Sequence, residues 1–241
     1  MESGRVPDQL KIAKVIPIFK ADDNKKFSNY RLISILPNFS KILERVVYAR
    51  LIKYLTKHNI LFDNQFGFRK NHSTFMAVLD LIDNLSNSID EKEFSVCVFI
   101  NLSKAFDTVN HKKSIQKLSH SGIRGTPLLW FSDYLFNRKQ FIKFNNILSQ
   151  YKTVTCGVPQ GAILGPLLFL IYVNDISNCS SLLKIIIFAD DTCLSSSGKD
   201  LTHMIQVVNQ ELIASWFKSN KLSINLKKTK CIISVLETST T

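Results

Sequence analysis

The stretch Leu183-Lys-Ile-Ile-Ile-Phe-Ala-Asp-Asp-Thr-Cys-Leu194 decides how this 241-residue chain is read. Four apolar residues, Ile185 to Phe188, lead into Ala189, Asp190 and Asp191, and a second short run follows. A β-branched apolar run bounded by turn-formers reads as a buried strand. The pair is expected to be a β-hairpin with two adjacent carboxylates at its bend. Charges beside a buried strand cost free energy unless they are paired or bind metal. Oxygen ligands at a strand end suit Mg²⁺. An isolated Asp-Asp is more often a solvated turn, so the choice depends on the rest of the chain.

Outward from the hairpin, Phe94 to Ile100 is the second strong buried-strand signal, and it would carry residue 101 at its end. Extended segments are expected at 15–19 and 30–34, and a last strand at 231–235. Ser40 is a candidate N-cap for a helix through 58, with Leu43, Val47, Leu51 and Leu55 on one face. Further helices are expected at 73–89, between residue 101 and Gly122, from Thr126-Pro127 to 137, at 164–176 and at 201–218. Residues 140–144 and 151–155 resemble a hairpin around Asn145-Asn146. The Cys156–Gly161 segment reads as a loop, and 237–241 as a frayed end. The mixture implies an α+β fold with a mixed or antiparallel sheet.

Composition narrows the partners. Lys and Arg number 31 against 19 acids, a formal net charge of +12. Residues 1–60 hold 12 of those bases and 5 of the acids, so over half of the excess lies in the first quarter. This points to a polyanion, nucleic acid before an anionic membrane surface. Some of the 17 Phe residues could stack on bases. The 5 Cys are odd in number and lack C-x-x-C spacing, which argues against a disulfide framework or a zinc site and fits a reducing compartment. No signal peptide opens the chain, and the longest apolar run, 162–173, is too short to span a membrane. An intracellular protein with no membrane partner is expected.

Seven stretches in order carry a resemblance. They are Val15-Ile-Pro-Ile-Phe-Lys20, Asn29-Tyr-Arg-Leu-Ile-Ser34, Gln65-Phe-Gly-Phe-Arg69 with Ser73-Thr74, Leu102-Ser-Lys-Ala-Phe-Asp-Thr-Val109, Gly157-Val-Pro-Gln-Gly-Ala-Ile-Leu-Gly-Pro-Leu-Leu-Phe169, Phe188-Ala-Asp-Asp191 and Asn225-Leu-Lys-Lys-Thr-Lys230. Together they resemble the reverse transcriptase domain of non-LTR retrotransposons of the jockey or CR1-like kind. The resemblance implies a right-hand polymerase. Residues 1–93 would be fingers, with the first segments open to truncation. Residues 94–241 would be a palm made of an antiparallel sheet backed by helices. The thumb and the endonuclease of such elements would be absent from this chain.

The implied activity is RNA-directed DNA synthesis: two-metal nucleotidyl transfer with Mg²⁺ (Mn²⁺ as substitute) that extends a DNA primer on an RNA template from deoxynucleoside triphosphates. By resemblance Asp190 and Asp191 would hold metal, together with the backbone carbonyl of Leu102. Lys20 and Arg31 would grip the triphosphate. Phe106 would lie under the incoming sugar and Gln160 would touch the nucleotide. Gly157 and Gly161 would let the backbone approach template and primer. Arg69 would contact the template backbone or brace the fingers. Lys228 would protonate pyrophosphate, a role open also to Lys230. A site of action in the nucleus follows from the function alone.

One departure stands out. The family has Asp where this chain has Asn101, the position whose carboxylate bridges both metals. Asparagine keeps the shape and one carbonyl but contributes no charge, so weak metal binding and a large loss of rate are expected. Leu32 replaces the family's usual proline, a smaller change. The alternative reading is a non-catalytic remnant that holds nucleic acid through its basic residues.

Overall fold

A computed structural model describes residues 3–21, 23–210 and 213–234. In chain order the strands and α-helices are β1 (Ile12–Phe19), β2 (Tyr30–Ile35), α1 (Asn38–Lys57), α2 (Thr74–Asp90), β3 (Phe94–Ile100), α3 (Ala105–Thr108), α4 (His111–His120), α5 (Gly125–Leu135), β4 (Lys139–Phe144), β5 (Ile147–Leu148), β6 (Lys152–Thr153), α6 (Leu164–Val173), β7 (Lys184–Phe188), β8 (Asp191–Gly198), α7 (Leu201–Gln210), α8 (Ile213–Ser219) and β9 (Lys230–Ser234). They form two compact units, each drawn from two chain segments. The first takes Met1–Ile60 with Phe106–Tyr172, and the second Leu61–Ala105 with Val173–Thr241. No helix among the described residues is long and apolar enough to cross a membrane.

In the first unit β1 pairs antiparallel with β2, which sets Ile18 opposite Arg31. The other edge of β1 runs parallel to β4. Asn145 and Asn146 both adopt positive φ, 46° and 63°. Two such residues close a two-residue hairpin whose twist matches that of its strands. The immediate partner of β4 is therefore β5, with Phe144 opposite Ile147. The partner expected at 151–155 is shorter, and as β6 it pairs with the start of β4 instead.

Helix α1 buries Val47, Leu51 and Leu55. It begins directly after Pro37, whose φ of −54° is already helical in value, so Ser40 is not the N-cap. Ser40 lies inside the helix, and its hydroxyl donates to the Leu10 carbonyl at 3.3 Å. Thr126 is likewise inside α5, whose N-cap is Arg124.

Helix α6 is buried around most of its circumference, as an all-apolar helix must be. Its entry is fixed by the buried Glu44 of α1. One carboxylate oxygen of Glu44 accepts the Ile163 N–H at 2.6 Å, and the other accepts the Tyr134 hydroxyl at 2.8 Å. The loop before α6 thus starts from an anchored end.

The second unit is an antiparallel sheet in the order β7-β8-β3-β9. Alternation along β8 separates its two faces. Cys193 packs with Ala77 of α2, Cys97 and Ile186. Ser195 and Ser197, on the same face, meet Asn84 and Ser88 of α2 at 3.4 and 2.8 Å. Ser196, on the other face, donates to the Met204 sulfur of α7 at 3.2 Å. The serines of this buried strand are tolerated because each finds a partner. The helix expected over 73–89 is α2, and Ser73 lies just outside it as the N-cap, accepting the Met76 N–H. All five cysteines are free thiols. The expected end of the last strand at Val235, and the frayed segment 237–241, lie outside the described residues.

Candidate active site

Phe188 pairs with Asp191 across β7 and β8, so Ala189 and Asp190 form a two-residue loop. Asp190 is half-buried in that loop and Asp191 is exposed at the first position of β8. Ala189 has φ of 60°, a left-handed value unusual for a residue with a Cβ. The register of β3 on β8 sets Ile100 opposite Thr192. One step further along both strands, Asn101 meets Asp191: its Nδ2 donates to Asp191 Oδ1 at 3.2 Å.

Asn101 is held from behind by the segment 223–229. Its carbonyl accepts the Asn225 N–H at 2.8 Å, and the Ser103 N–H donates to the Ser223 carbonyl at 2.8 Å. Between them Leu102 bridges Ile224. Residues 225–229 make a single turn in which Lys228 and Thr229 N–H both donate to the Asn225 carbonyl. That turn brings the exposed Lys228 to the rim of an apolar cavity of about 320 Å³, lined also by Phe99, Asn101, Phe188 and Asp191. Asn101, Leu102, Asp190, Asp191 and Lys228 are therefore gathered at one end of one sheet.

Two adjacent carboxylates are hard oxygen donors that suit a divalent cation. The third charge is missing. Among the described residues no group of three His, Cys, Asp or Glu is placed to hold a metal. The Asn101 amide offers its N–H to Asp191, where a carboxylate would repel it, so the amide itself neutralises part of the demand that a cation would otherwise meet.

The remaining candidates lie in the first unit. Lys20 and Arg31 are exposed at the open end of the β1–β2 ribbon, where the Lys20 N–H donates to the Asn29 carbonyl at 2.9 Å. The loop before α6 lies against β2: the Gln160 carbonyl accepts the Ser34 N–H at 2.7 Å. Gly161 approaches so closely that a Cβ there would sit 2.7 Å from the Ser34 carbonyl oxygen. The Gln160 side chain donates to Asp107 Oδ1 at 2.8 Å. Phe106, one residue earlier, stacks on Phe169 with ring centroids 4.6 Å apart. Gly157 is tied by its N–H to the Val109 carbonyl at 2.7 Å.

Its own carbonyl receives Nε2–H of the buried His111 at 2.8 Å. Burial, outweighing that hydrogen bond, lowers the His111 pKa below its ordinary value, and the nearby Arg138 adds to the effect. The other ring nitrogen, Nδ1, has no partner among the described residues, so a proton added there would be buried and unmatched. The unfolded chain therefore takes up this proton more readily than the folded one. The stability is present above the unfolded value near pH 6.5 and is lost as pH falls toward the lower folded value. Urea unfolding at pH 7.5, 6.5 and 5.5 is expected to show a decline in stability no steeper than about 1.4 kcal/mol per pH unit from this group. His111→Gln, which keeps a donor for Gly157, is expected to lose that part of the slope.

Arg69 belongs to the second unit and acts as a brace. Its Nη1 donates to the carbonyls of Phe62, Asp63 and Gln65 at 2.8, 3.3 and 3.2 Å. Gln65, Gly67 and Asn225 lie in stretches that carry the resemblance, and the structure adds a role for each. Asn225 supports Asn101, while Gln65 and Gly67 touch the aspartate turn.

Residues 20–239 match the family described as "Reverse transcriptase (RNA-dependent DNA polymerase)". Among curated proteins the chain is 32% identical over 236 residues to the "Probable RNA-directed DNA polymerase from transposon BS" of Drosophila melanogaster, covering 92% of this chain and 26% of that protein. It is 28% identical to the "RNA-directed DNA polymerase from mobile element jockey" of the same organism, covering 95% of this chain and 26% of the relative. The chain thus spans about a quarter of the length of these relatives. Among solved structures it resembles apo telomerase from Candida tropicalis, with a TM-score of 0.68 and 12% identity over 95% of this chain and 45% of that one. The telomerase truncated from its C-terminal domain gives 0.65 and 14%, covering 97% and 52%. At such identities the likeness is one of fold.

Proposed function

The chain belongs to the reverse transcriptase (RNA-dependent DNA polymerase) family, and from that premise we propose that it is a retroelement polymerase domain that extends a DNA primer on an RNA template, slowed by Asn101. The observation that carries the proposal is the pair Asp190–Asp191 at the end of the β7–β8 hairpin, and Asn101, which donates to Asp191, accounts for the slowing. We assign residues 1–93 to the fingers and 94–241 to the palm, and the site of action to the nucleus, where a DNA target lies.

Asp190, Asp191 and the Leu102 carbonyl would hold magnesium. When bound, the ions would supply Lewis acidity at the primer hydroxyl and the departing pyrophosphate. Lys20 and Arg31 pair with triphosphate oxygens, and Arg31 can do so bidentately. The Phe106 ring, fixed against Phe169, blocks a 2′-hydroxyl on the incoming sugar. Gln160, its amide oriented by Asp107, contacts that nucleotide. The Gly157–Gly161 segment lies along template and primer. Lys228, exposed on its turn, hands a proton to the leaving pyrophosphate. Of the other bases in residues 1–60, Lys11 is buried against Asp133, and the exposed ones hold the phosphate backbone by counterion release.

The second reading, a nucleic-acid-binding remnant, is favoured by the same hydrogen bond and by the missing third acid. Primer extension on poly-rA with Mn²⁺ separates the two. Synthesis by the parent that disappears in Asp190→Ala supports the polymerase. Salt-dependent binding of primer–template with no nucleotide added by the parent, nor by Asn101→Asp, supports the remnant.

A further inference from the structure

We infer that Gln65 is a positioning residue: its side-chain carbonyl holds the Ala189–Asp190 turn in the conformation that presents the two aspartates. A residue with a Cβ keeps a left-handed φ only where its surroundings impose it. Ala189 has such a φ, immediately before Asp190. The surroundings come from the loop 62–69 of the same unit. Gln65 is 2% exposed. Its Oε1 accepts the Gly67 N–H at 2.8 Å and the Ala189 N–H at 3.2 Å. Two backbone donors on one atom fix which end of the amide is oxygen.

The backbone beside it forms a short parallel ladder with β7. Phe66 N–H donates to the Ile187 carbonyl, and Ile187 N–H to the Asn64 carbonyl, both at 2.8 Å. Asn64 Nδ2 reaches the Ile185 carbonyl at 3.2 Å. Arg69 fastens the loop to itself, so the template for the turn is rigid. The Gln65 Nε2 has no protein partner among the described residues. The carbonyl end therefore carries the role, and an apolar side chain of similar size would keep the packing while losing it.

That distinction makes the test. Amide hydrogen exchange is followed by NMR on the whole chain, without metal, for the parent, Gln65→Leu and Gln65→Glu. Gln65→Leu keeps the volume and removes the acceptor. Gln65→Glu keeps an acceptor whether or not it is ionised. Exchange at Ala189 and Gly67 is expected to accelerate at least tenfold in Gln65→Leu and to stay within threefold of the parent in Gln65→Glu. The amide of Val98, in the centre of β3, is expected not to change in either. Unchanged exchange at Ala189 in Gln65→Leu overturns the proposal. Acceleration that includes Val98 also overturns it, because it marks a packing role. The inference rests on reading Asp190–Asp191 as the metal-bearing turn. Exchange reads the turn itself, so the absence of nucleotide addition by both the parent and Asn101→Asp refutes that reading without altering the exchange result.

Discussion

Asn101→Asp is expected to raise the rate of primer extension by about 10²-fold or more over the parent, equivalent to roughly 2.7 kcal/mol of barrier. Three effects combine. The substitution removes the N–H that now satisfies Asp191 Oδ1. It places a second negative charge at the 3.2 Å approach, at a cost of about 1–2 kcal/mol after solvent screening of the exposed Asp191. It completes a three-carboxylate set that relieves that cost only by taking up a cation. The fold tolerates the change because the Asn101 backbone is held independently by Asn225 and by the strand β3. The same logic gives a readout free of catalysis. The Tm of Asn101→Asp is expected to fall without divalent metal and to recover as Mg²⁺ is added, while that of the parent barely responds. A parent whose Tm rises equally with Mg²⁺, and whose extension matches that of the variant, would mean that two carboxylates suffice.

Gly67→Ala is the second large effect, expected to lower stability by about 3 kcal/mol. A Cβ on Gly67 would lie 2.1 Å from the Ala189 nitrogen and 2.7 Å from its Cα. Both are backbone atoms of the buried Ala189, so no side chain can swing aside. Either the loop leaves β7 or the turn leaves its left-handed conformation. Gly125→Ala is the control. Gly125 has a positive φ of 60°, unlike Gly67, but nothing lies within 4 Å of its added Cβ. Only the conformational cost of about 1 kcal/mol remains there. Urea unfolding measures both variants. Introduced together with Asn101→Asp, Gly67→Ala is expected to erase the gain in extension. Equal costs at the two glycines would show that the close approach relaxes freely.

Local pattern carries the parts of this structure that depend on near neighbours. The β-branched run Phe94–Ile100 and the apolar run before Ala189 are strands because burial on both faces leaves them no other use. Ser73 is a cap because the apolar period starts just after it. Two helix starts are misread where a proline or glycine sets the boundary upstream of the hydroxyl, at Pro37 and Gly125. The β4–β5 pairing depends on two asparagines adopting positive φ together, which composition alone does not state. At the site, the motif order identifies Asp190, Asp191 and Asn101, but their meeting depends on strand register. Gln65 opens a stretch that carries the resemblance, but its role is not legible there because its partner, Ala189, is far along the chain and offers only a backbone N–H.

The first unit is built from two segments with much of the second unit's chain between them. Strand β1 is complete at Phe19, yet its parallel neighbour supplies Ile142 opposite Val15. On a ribosome making about 5–20 residues per second, β1 waits on the order of 10 s for that neighbour to emerge. Parallel pairing over such a separation is also slow once both strands exist. Through that interval the β1–β2 ribbon exposes an apolar edge carrying Val15 and Ile16, open to any other nascent chain. Slower translation between residues 36 and 138 lengthens the time for which that edge stays unpaired.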